Sequence, residues 1–146
     1  MHVRAFALTV LLAAVLACSK SERDASPSAA KSRSAEGDPV GTVTVEQLDS
    51  LVTSGQCQVV DANGESTRRN MGIIPGATLL TSYETYSVHE LPADKARKLV
   101  FYCANEHCGA SHVAAERAIA AGYRDVHVLP AGIAGWHQAG KTVQPL

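Results

Sequence analysis

The spacing of hydrophobic positions changes repeatedly from residue 40 onward, and these changes predict helices that alternate with strands. Apolar residues recur at helical spacing over residues 45–54, directly behind Thr44 and Gln47, which have the spacing of a capping box. Short continuous apolar runs are instead typical of buried parallel strands. The predicted strands cover residues 57–61, 78–80, 98–102 and 126–129, the predicted helices cover 45–54, 110–121 and 131–139, and a single helical turn is expected over 65–70. This alternation predicts an α/β fold with a mostly parallel central sheet of about five strands and helices on both faces.

The first residues have the pattern of an export signal. Arg4 precedes an apolar run over residues 5–17, which is 13 residues long and falls short of the roughly 20 residues that span a bilayer. The run ends in VLAC, which resembles the bacterial lipobox and makes Cys18 its cysteine. We therefore expect a lipoprotein signal peptide over residues 1–17 and a lipidated Cys18, with an ordinary secretory signal as the alternative. Ser19 follows Cys18, which by analogy with Gram-negative lipoproteins favours a periplasm-facing protein anchored in the outer membrane.

Residues 18–39 differ in composition from the rest of the chain. Beyond Cys18 they contain no aromatic and no large aliphatic residue, so they cannot bury enough apolar surface to offset the entropy of ordering. We expect a disordered tether over residues 18–39 and one folded domain over residues 40–146. The net charge of −1 suggests no nucleic-acid partner, and membrane contact is expected only through the lipid on Cys18.

A cysteine directly follows the most apolar predicted strand. Cys103 ends the run LVFYC, a short loop follows, and an alanine-rich helix begins near Ala110. Sites in parallel sheets lie at the carboxyl ends of strands, and a helix N-terminus with free loop N–H groups stabilises a thiolate or a bound anion. The candidate site is therefore Cys103 with the loop residues Ala104, Asn105, Glu106, His107, Cys108, Gly109, Ala110 and Ser111. We predict no cofactor and no metal ion.

Four stretches in order carry a family resemblance: VVDANGES, IIPGATLL, LVFYC with its loop, and AAERAIAAGYRDVHVLPAGIAGW. Together they resemble the single-domain rhodaneses, a sulfurtransferase family, over roughly residues 43–140. The resemblance implies a three-layer rhodanese-like domain. It also implies that Cys103 attacks the outer sulfur of a small donor, such as thiosulfate or a persulfide, and holds that sulfur as a persulfide. The sulfur then passes to a thiol or to cyanide. Attack needs a thiolate, so we expect a lowered pKa for Cys103.

The loop departs from the usual rhodanese pattern in three ways. It has no arginine between Cys103 and Ser111, it is about two residues longer than is typical, and it contains a second cysteine. The family's Asp-x-Arg after the second strand is here Asp-Ala-Asn, beginning at Asp61, which we expect to fix the turn by hydrogen bonding. Arg68 or Arg69 is the candidate to lean in as a supporting cation. A loop without a guanidinium argues against phosphoryl chemistry.

The second cysteine leaves alternatives open. Cys108 is predicted either to form a disulfide with Cys103, as a resolving or redox thiol, or to be plain loop packing. A thiol-redox protein that uses Cys103 and Cys108 is therefore one alternative function, and a non-catalytic rhodanese-like binding module is another. His107 is a candidate for positive charge in place of the missing arginine. Cys103, His107, Cys108 and His112 could also hold a soft metal ion, although their spacing matches no known metal signature.

Overall fold

The computed structural model describes residues 40–146, and the predicted signal peptide, the lipidated Cys18 and the tether lie outside them. Five strands and four α-helices follow one another in this part of the chain. The elements are β1 (Gly41–Thr42), α1 (Val45–Thr53), β2 (Cys57–Asp61), α2 (Glu65–Met71), β3 (Thr78–Leu79), a 3₁₀ turn (Val88–Glu90), β4 (Lys98–Tyr102), α3 (Ala110–Ala120), β5 (Val126–Leu129) and α4 (Gly132–Gln138). None of the helices in residues 40–146 is long and apolar enough to cross a bilayer.

All five strands pair in parallel, in the order β1-β5-β4-β2-β3, so β4 lies at the centre. Asp61 of β2 pairs with Tyr102 of β4, which pairs with Leu129 of β5. The three inner strands therefore end level with one another, and the segments that follow them share one edge of the sheet. This confirms the predicted fold class and places Cys103 in the middle of the carboxyl edge.

The sheet separates two hydrophobic cores. The alanines Ala114, Ala115 and Ala118 of α3 pack in one core, and Leu48 of α1 and Trp136 of α4 pack in the other. Because both faces of β4 are covered, Leu99, Val100, Phe101 and Tyr102 are all fully buried, which explains why that strand is continuously apolar.

Three local expectations need correction. Strand β1 was not predicted, because two residues carry no periodicity. The single turn expected over residues 65–70 is a two-turn helix, α2. The sequence also did not distinguish the two tyrosines between β3 and the 3₁₀ turn, of which Tyr86 packs in the core. That residue is fully buried and its hydroxyl donates to the Ala114 carbonyl at 2.8 Å, whereas Tyr83 is 37% exposed.

Candidate active site

Asp61 is a hydrogen-bonding centre beneath the site, at the end of β2. Its fully buried carboxylate accepts from the Asn63 backbone N–H at 2.7 Å and from the Tyr102 hydroxyl at 2.8 Å. The Tyr102 hydroxyl also accepts from the Ile74 N–H at 3.2 Å. Burial, together with the nearby Asp61 charge, raises the pKa of Tyr102, so that hydroxyl stays a donor. The predicted turn-fixing role of Asp61 agrees with these contacts.

The two arginines of α2 have different surroundings. Arg68 is buried and donates to the carbonyls of Asp61 at 3.0 Å and Leu80 at 2.9 Å. Its Nε lies 3.3 Å from the Asp61 carboxylate, as an ion pair without hydrogen-bond geometry. Arg69 is exposed and pairs with Glu65 one turn away on the same helix. The expectation that one of them leans into the cysteine loop is therefore wrong. Arg68 supports the site through Asp61.

Cys103 is buried where the chain leaves β4, with only 1% of its surface exposed. Its thiol donates to the Cys108 carbonyl at 2.8 Å, and its sulfur lies 3.3 Å from the Ser111 hydroxyl. Ser111, in the first turn of α3, is itself 2% exposed. The loop thus folds back over its own first residue, and a reactive sulfur at this position has polar neighbours on two sides.

The outer part of the loop is a solvent-exposed turn. The Asn105 side chain accepts from the His107 N–H at 3.0 Å, and the Cys108 N–H donates to the Asn105 carbonyl at 3.1 Å. The side chains of Glu106 and His107 are 75% and 86% exposed and lie 3.6 Å apart. A charge on His107 is therefore screened by water and paired with Glu106, so it is a weak substitute for an arginine inside the loop.

The start of α4 holds the loop in place, which the sequence reasoning missed. The Ile133 N–H donates to the Cys103 carbonyl at 2.9 Å, and the Ala134 N–H donates to the Ala104 carbonyl at 3.0 Å. Gly132 has φ +59°, and a Cβ there would lie 2.5 Å from the Cys103 carbonyl oxygen. The close approach therefore requires glycine. The glycine that follows Pro130 and Ala131 in the sequence was the available signal.

The pKa values of the two loop thiols are shifted in opposite directions. Burial, and then the adjacent Cys108 thiol, raises the pKa of Cys103 above its ordinary value, while Ser111 opposes the shift. Burial also acts against ionisation of Cys108, but the Cys103 thiol and the N–H groups of Ala104 and Ala110 outweigh it and lower the pKa of Cys108. The expected lowered pKa of Cys103 is therefore wrong, because burial and the Cys108 thiol outweigh the hydroxyl and N–H of Ser111, while the N–H groups of Ala104 and Ala110 act on Cys108.

The folded part of the sequence matches one protein-family model. The model of the rhodanese-like domain matches residues 44–139, the described domain almost from end to end. The chain belongs to the rhodanese-like domain family. This confirms the predicted family and its three-layer fold.

Solved structures support the same fold for this rhodanese-like domain. A protein of unknown function from Rhodopseudomonas palustris, described as a possible tyrosine phosphatase, is 25% identical with a TM-score of 0.60, covering 72% of this chain and 85% of that one. A rhodanese-like domain protein from Staphylococcus aureus is 23% identical with a TM-score of 0.55, covering 66% and 91%. A thiosulfate sulfurtransferase from Pseudomonas aeruginosa is 20% identical with a TM-score of 0.59, covering 73% of this chain but 20% of that protein. No curated protein matches the chain.

The remaining predictions concern the loop of this rhodanese-like domain. Cys103 and Cys108 are both free thiols. Within residues 40–146 no group of three or more His, Cys, Asp and Glu side chains is placed to hold a metal ion. A surface cavity of about 310 Å³ lies between loop residues 105–107 and α4, and Cys103 does not line it. Asn63, which stands where the family has arginine, has a buried side-chain nitrogen without a hydrogen-bond partner. It is a further donor at this edge of the sheet, which the sequence reasoning did not single out as a site residue.

Proposed function

We propose that this rhodanese-like domain is a sulfurtransferase in which Cys103 carries the transferred sulfur. The Cys103 thiolate attacks the outer sulfur of thiosulfate, a sulfur–sulfur bond forms at Cys103, and sulfite leaves with the electron pair of the broken bond. An acceptor thiolate or cyanide then takes the outer sulfur and returns Cys103 as a thiolate. The observation that carries the proposal is the position of Cys103, which directly follows the central strand and has its sulfur 3.3 Å from the Ser111 hydroxyl.

The surroundings of Cys103 set the pH dependence of this step. Because burial raises the pKa of Cys103, the thiolate is a minor form at neutral pH, and loading is expected to accelerate with rising pH. Ser111 supports the ionised form, since its hydroxyl and its N–H both lower the pKa of Cys103. A Ser111→Ala variant is therefore expected to load more slowly at neutral pH, with its pH profile displaced upward.

Phosphoryl transfer is the competing chemistry for a cysteine loop of this shape. It depends on a guanidinium that neutralises a phosphate dianion. The loop from Cys103 to Ser111 has none, and Arg68 is committed to Asp61 and to backbone carbonyls. These contacts favour sulfur transfer over phosphate chemistry.

The test is to incubate the full chain with thiosulfate, and separately with a small persulfide, and to map the modified peptide by mass spectrometry. We expect sulfite from thiosulfate in the wild type, one additional sulfur atom on Cys103 in equal amount to the sulfite in a Cys108→Ser variant, and neither in Cys103→Ser. Cys57→Ser is the matched control, because Cys57 is also a buried thiol but lies at the opposite end of β2. Absence of sulfite from the wild type, together with absence of the adduct in Cys108→Ser with every donor, would overturn the proposal. Sulfite release that persists in Cys103→Ser would show that Cys103 is not the sulfur carrier, and a folded wild type that releases no sulfite from any donor would indicate a binding module.

We further propose that the domain works outside the cytoplasm on a lipid anchor at Cys18. The support is the short apolar run over residues 5–17 and its VLAC ending. Cells fed a labelled fatty acid are expected to label the wild-type protein in the membrane fraction and not Cys18→Ser. Equal label in both proteins would contradict the anchor. Separation of inner from outer membranes then tests the expected outer-membrane site.

A further inference from the structure

The loop holds two thiols with unequal access to solvent. Cys103 is 1% exposed, whereas Cys108 is half-buried and lies five residues later in the same loop. An external thiol therefore has little direct access to the sulfur atom that belongs to Cys103. Cys108 needs no access from solvent, because its backbone already packs against that sulfur.

The backbone of Cys108 lies against the Cys103 sulfur. The Cys103 sulfur lies 2.8 Å from the Cys108 carbonyl oxygen, and the two side chains also interact with each other. If Cys103 carried a persulfide, this sulfur would be the inner one of the two. The Cys108 backbone thus lies beside the inner sulfur and its thiol is close enough to interact with it, and attack by that thiol at the inner sulfur expels the outer sulfur rather than accepting it.

We propose that Cys108 resolves the persulfide on Cys103, so that the domain releases hydrosulfide and is left with a Cys103–Cys108 disulfide. The inference rests on the proposed sulfur transfer to Cys103. It assigns the final product of that site, reduced sulfur, and the class of partner that resets it, an external dithiol. The lowered pKa of Cys108 favours the required nucleophile at neutral pH.

The proposed resolution is a thiol–disulfide exchange. The Cys108 thiolate forms a bond to the inner sulfur, the inner–outer sulfur bond breaks, and the outer sulfur leaves with the electron pair. The leaving sulfur carries away one proton as hydrosulfide, so the Cys108 sulfur is oxidised and the departing sulfur is reduced. A dithiol then reduces the Cys103–Cys108 disulfide to two thiols and becomes a disulfide itself.

A single-turnover experiment separates loading from resolution. Fully reduced full-length protein, freed of reductant, is mixed with thiosulfate; sulfite reports loading and hydrosulfide reports resolution. For the wild type and for Cys57→Ser we expect about one hydrosulfide per sulfite and loss of the Cys103 and Cys108 thiols as a disulfide. For Cys108→Ser and Cys108→Ala we expect sulfite and a stable persulfide on Cys103, with a hydrosulfide yield at least about tenfold lower.

Each result has one meaning. Sulfite without hydrosulfide in the wild type, or an undiminished hydrosulfide yield in the Cys108 variants, overturns the inference but leaves the sulfurtransferase intact. An extra sulfur on Cys108 of the wild type also overturns the inference, because it shows attack on the outer sulfur. No sulfite from the wild type overturns the proposed function and the inference together. Sulfite from the Cys108 variants shows that their loops remain folded.

Discussion

Replacing Gly132 by alanine tests whether α4 holds the active-site loop in place. In the native structure the backbone of Gly132 passes so close to the loop that a Cβ would lie 2.5 Å from the Cys103 carbonyl oxygen and 2.7 Å from the carbonyl carbon of Ala104. All of these contacts are with backbone atoms, so no flexible side chain can move aside. Either the loop or the start of α4 has to shift.

The expected cost follows from two contributions. Alanine at φ +59° costs about 1–2 kcal/mol, because left-handed backbone crowds a Cβ. A shift also weakens the hydrogen bonds from Ile133 to the Cys103 carbonyl and from Ala134 to the Ala104 carbonyl, at about 1 kcal/mol each. We therefore expect Gly132→Ala to lower the free energy of unfolding by about 3 kcal/mol or more, a large part of the 5–15 kcal/mol typical of a domain.

Gly140 provides the matched control. It has φ +69°, but a Cβ there would meet nothing within 4 Å, so Gly140→Ala is expected to show only the backbone cost of about 1–2 kcal/mol. Urea unfolding of the two variants measures the difference, and iodoacetamide labelling of native Gly132→Ala should show faster modification of Cys103. Equal destabilisation of the two variants, with unchanged Cys103 labelling, would refute the account of the contact between α4 and the loop.

Three further outcomes are expected. Arg68→Ala should lower the free energy of unfolding by about 3 kcal/mol or more, since it leaves the buried Asp61 carboxylate without its ion-pair partner. Arg69→Ala should change it by less than about 0.5 kcal/mol in the same urea titration. Similar values for the two variants would contradict the different burial of the two arginines. Iodoacetamide should modify Cys108 before Cys103 at neutral pH, with the Cys108 rate falling as pH falls, and the reverse order would contradict the assigned shifts. Burial raises the pKa of both Cys57 and Cys103, so the folded state favours their protonated forms. This stabilisation is complete below the ordinary thiol pKa and is lost as pH rises through the folded values. The fall in urea midpoint between about pH 8 and 10 should therefore be smaller in Cys57→Ala, and an unchanged fall would contradict the assigned shift of Cys57.

The parts of the fold with strong local signals could be predicted from sequence. Thr44 and Gln47 form the predicted capping box, with Oγ1 accepting at 3.3 Å and Oε1 accepting at 2.8 Å. The strand at Lys98–Tyr102 has its predicted bounds. In both cases the deciding interactions lie within a few residues or follow from burial on two faces, and sequence spacing reports both directly.

The parts that were missed depend on partners far away in the chain. The direction of the Arg68 side chain is set by Asp61 and Leu80, and nothing local distinguishes Arg68 from its exposed neighbour Arg69. Likewise, the loop is held by Ile133, thirty residues after Cys103. Spacing within one element carries no information about such contacts, so the sequence placed Cys103 at the carboxyl end of a strand but did not show what holds its loop.

The titration of Cys103 was mispredicted for a related reason, and the error bears on how the loop works. A strand end followed by a helix N-terminus was expected to stabilise a thiolate on Cys103, but the N–H groups of Ala104 and Ala110 act on Cys108. One negative charge placed on Cys108 then disfavours a second on Cys103, because the Cys108 charge raises the pKa of Cys103. The loop has no arginine to offset that repulsion. The pair therefore favours one anion at a time, because the more accessible Cys108 ionises before the buried Cys103, and this is the order that the proposed resolution by Cys108 requires.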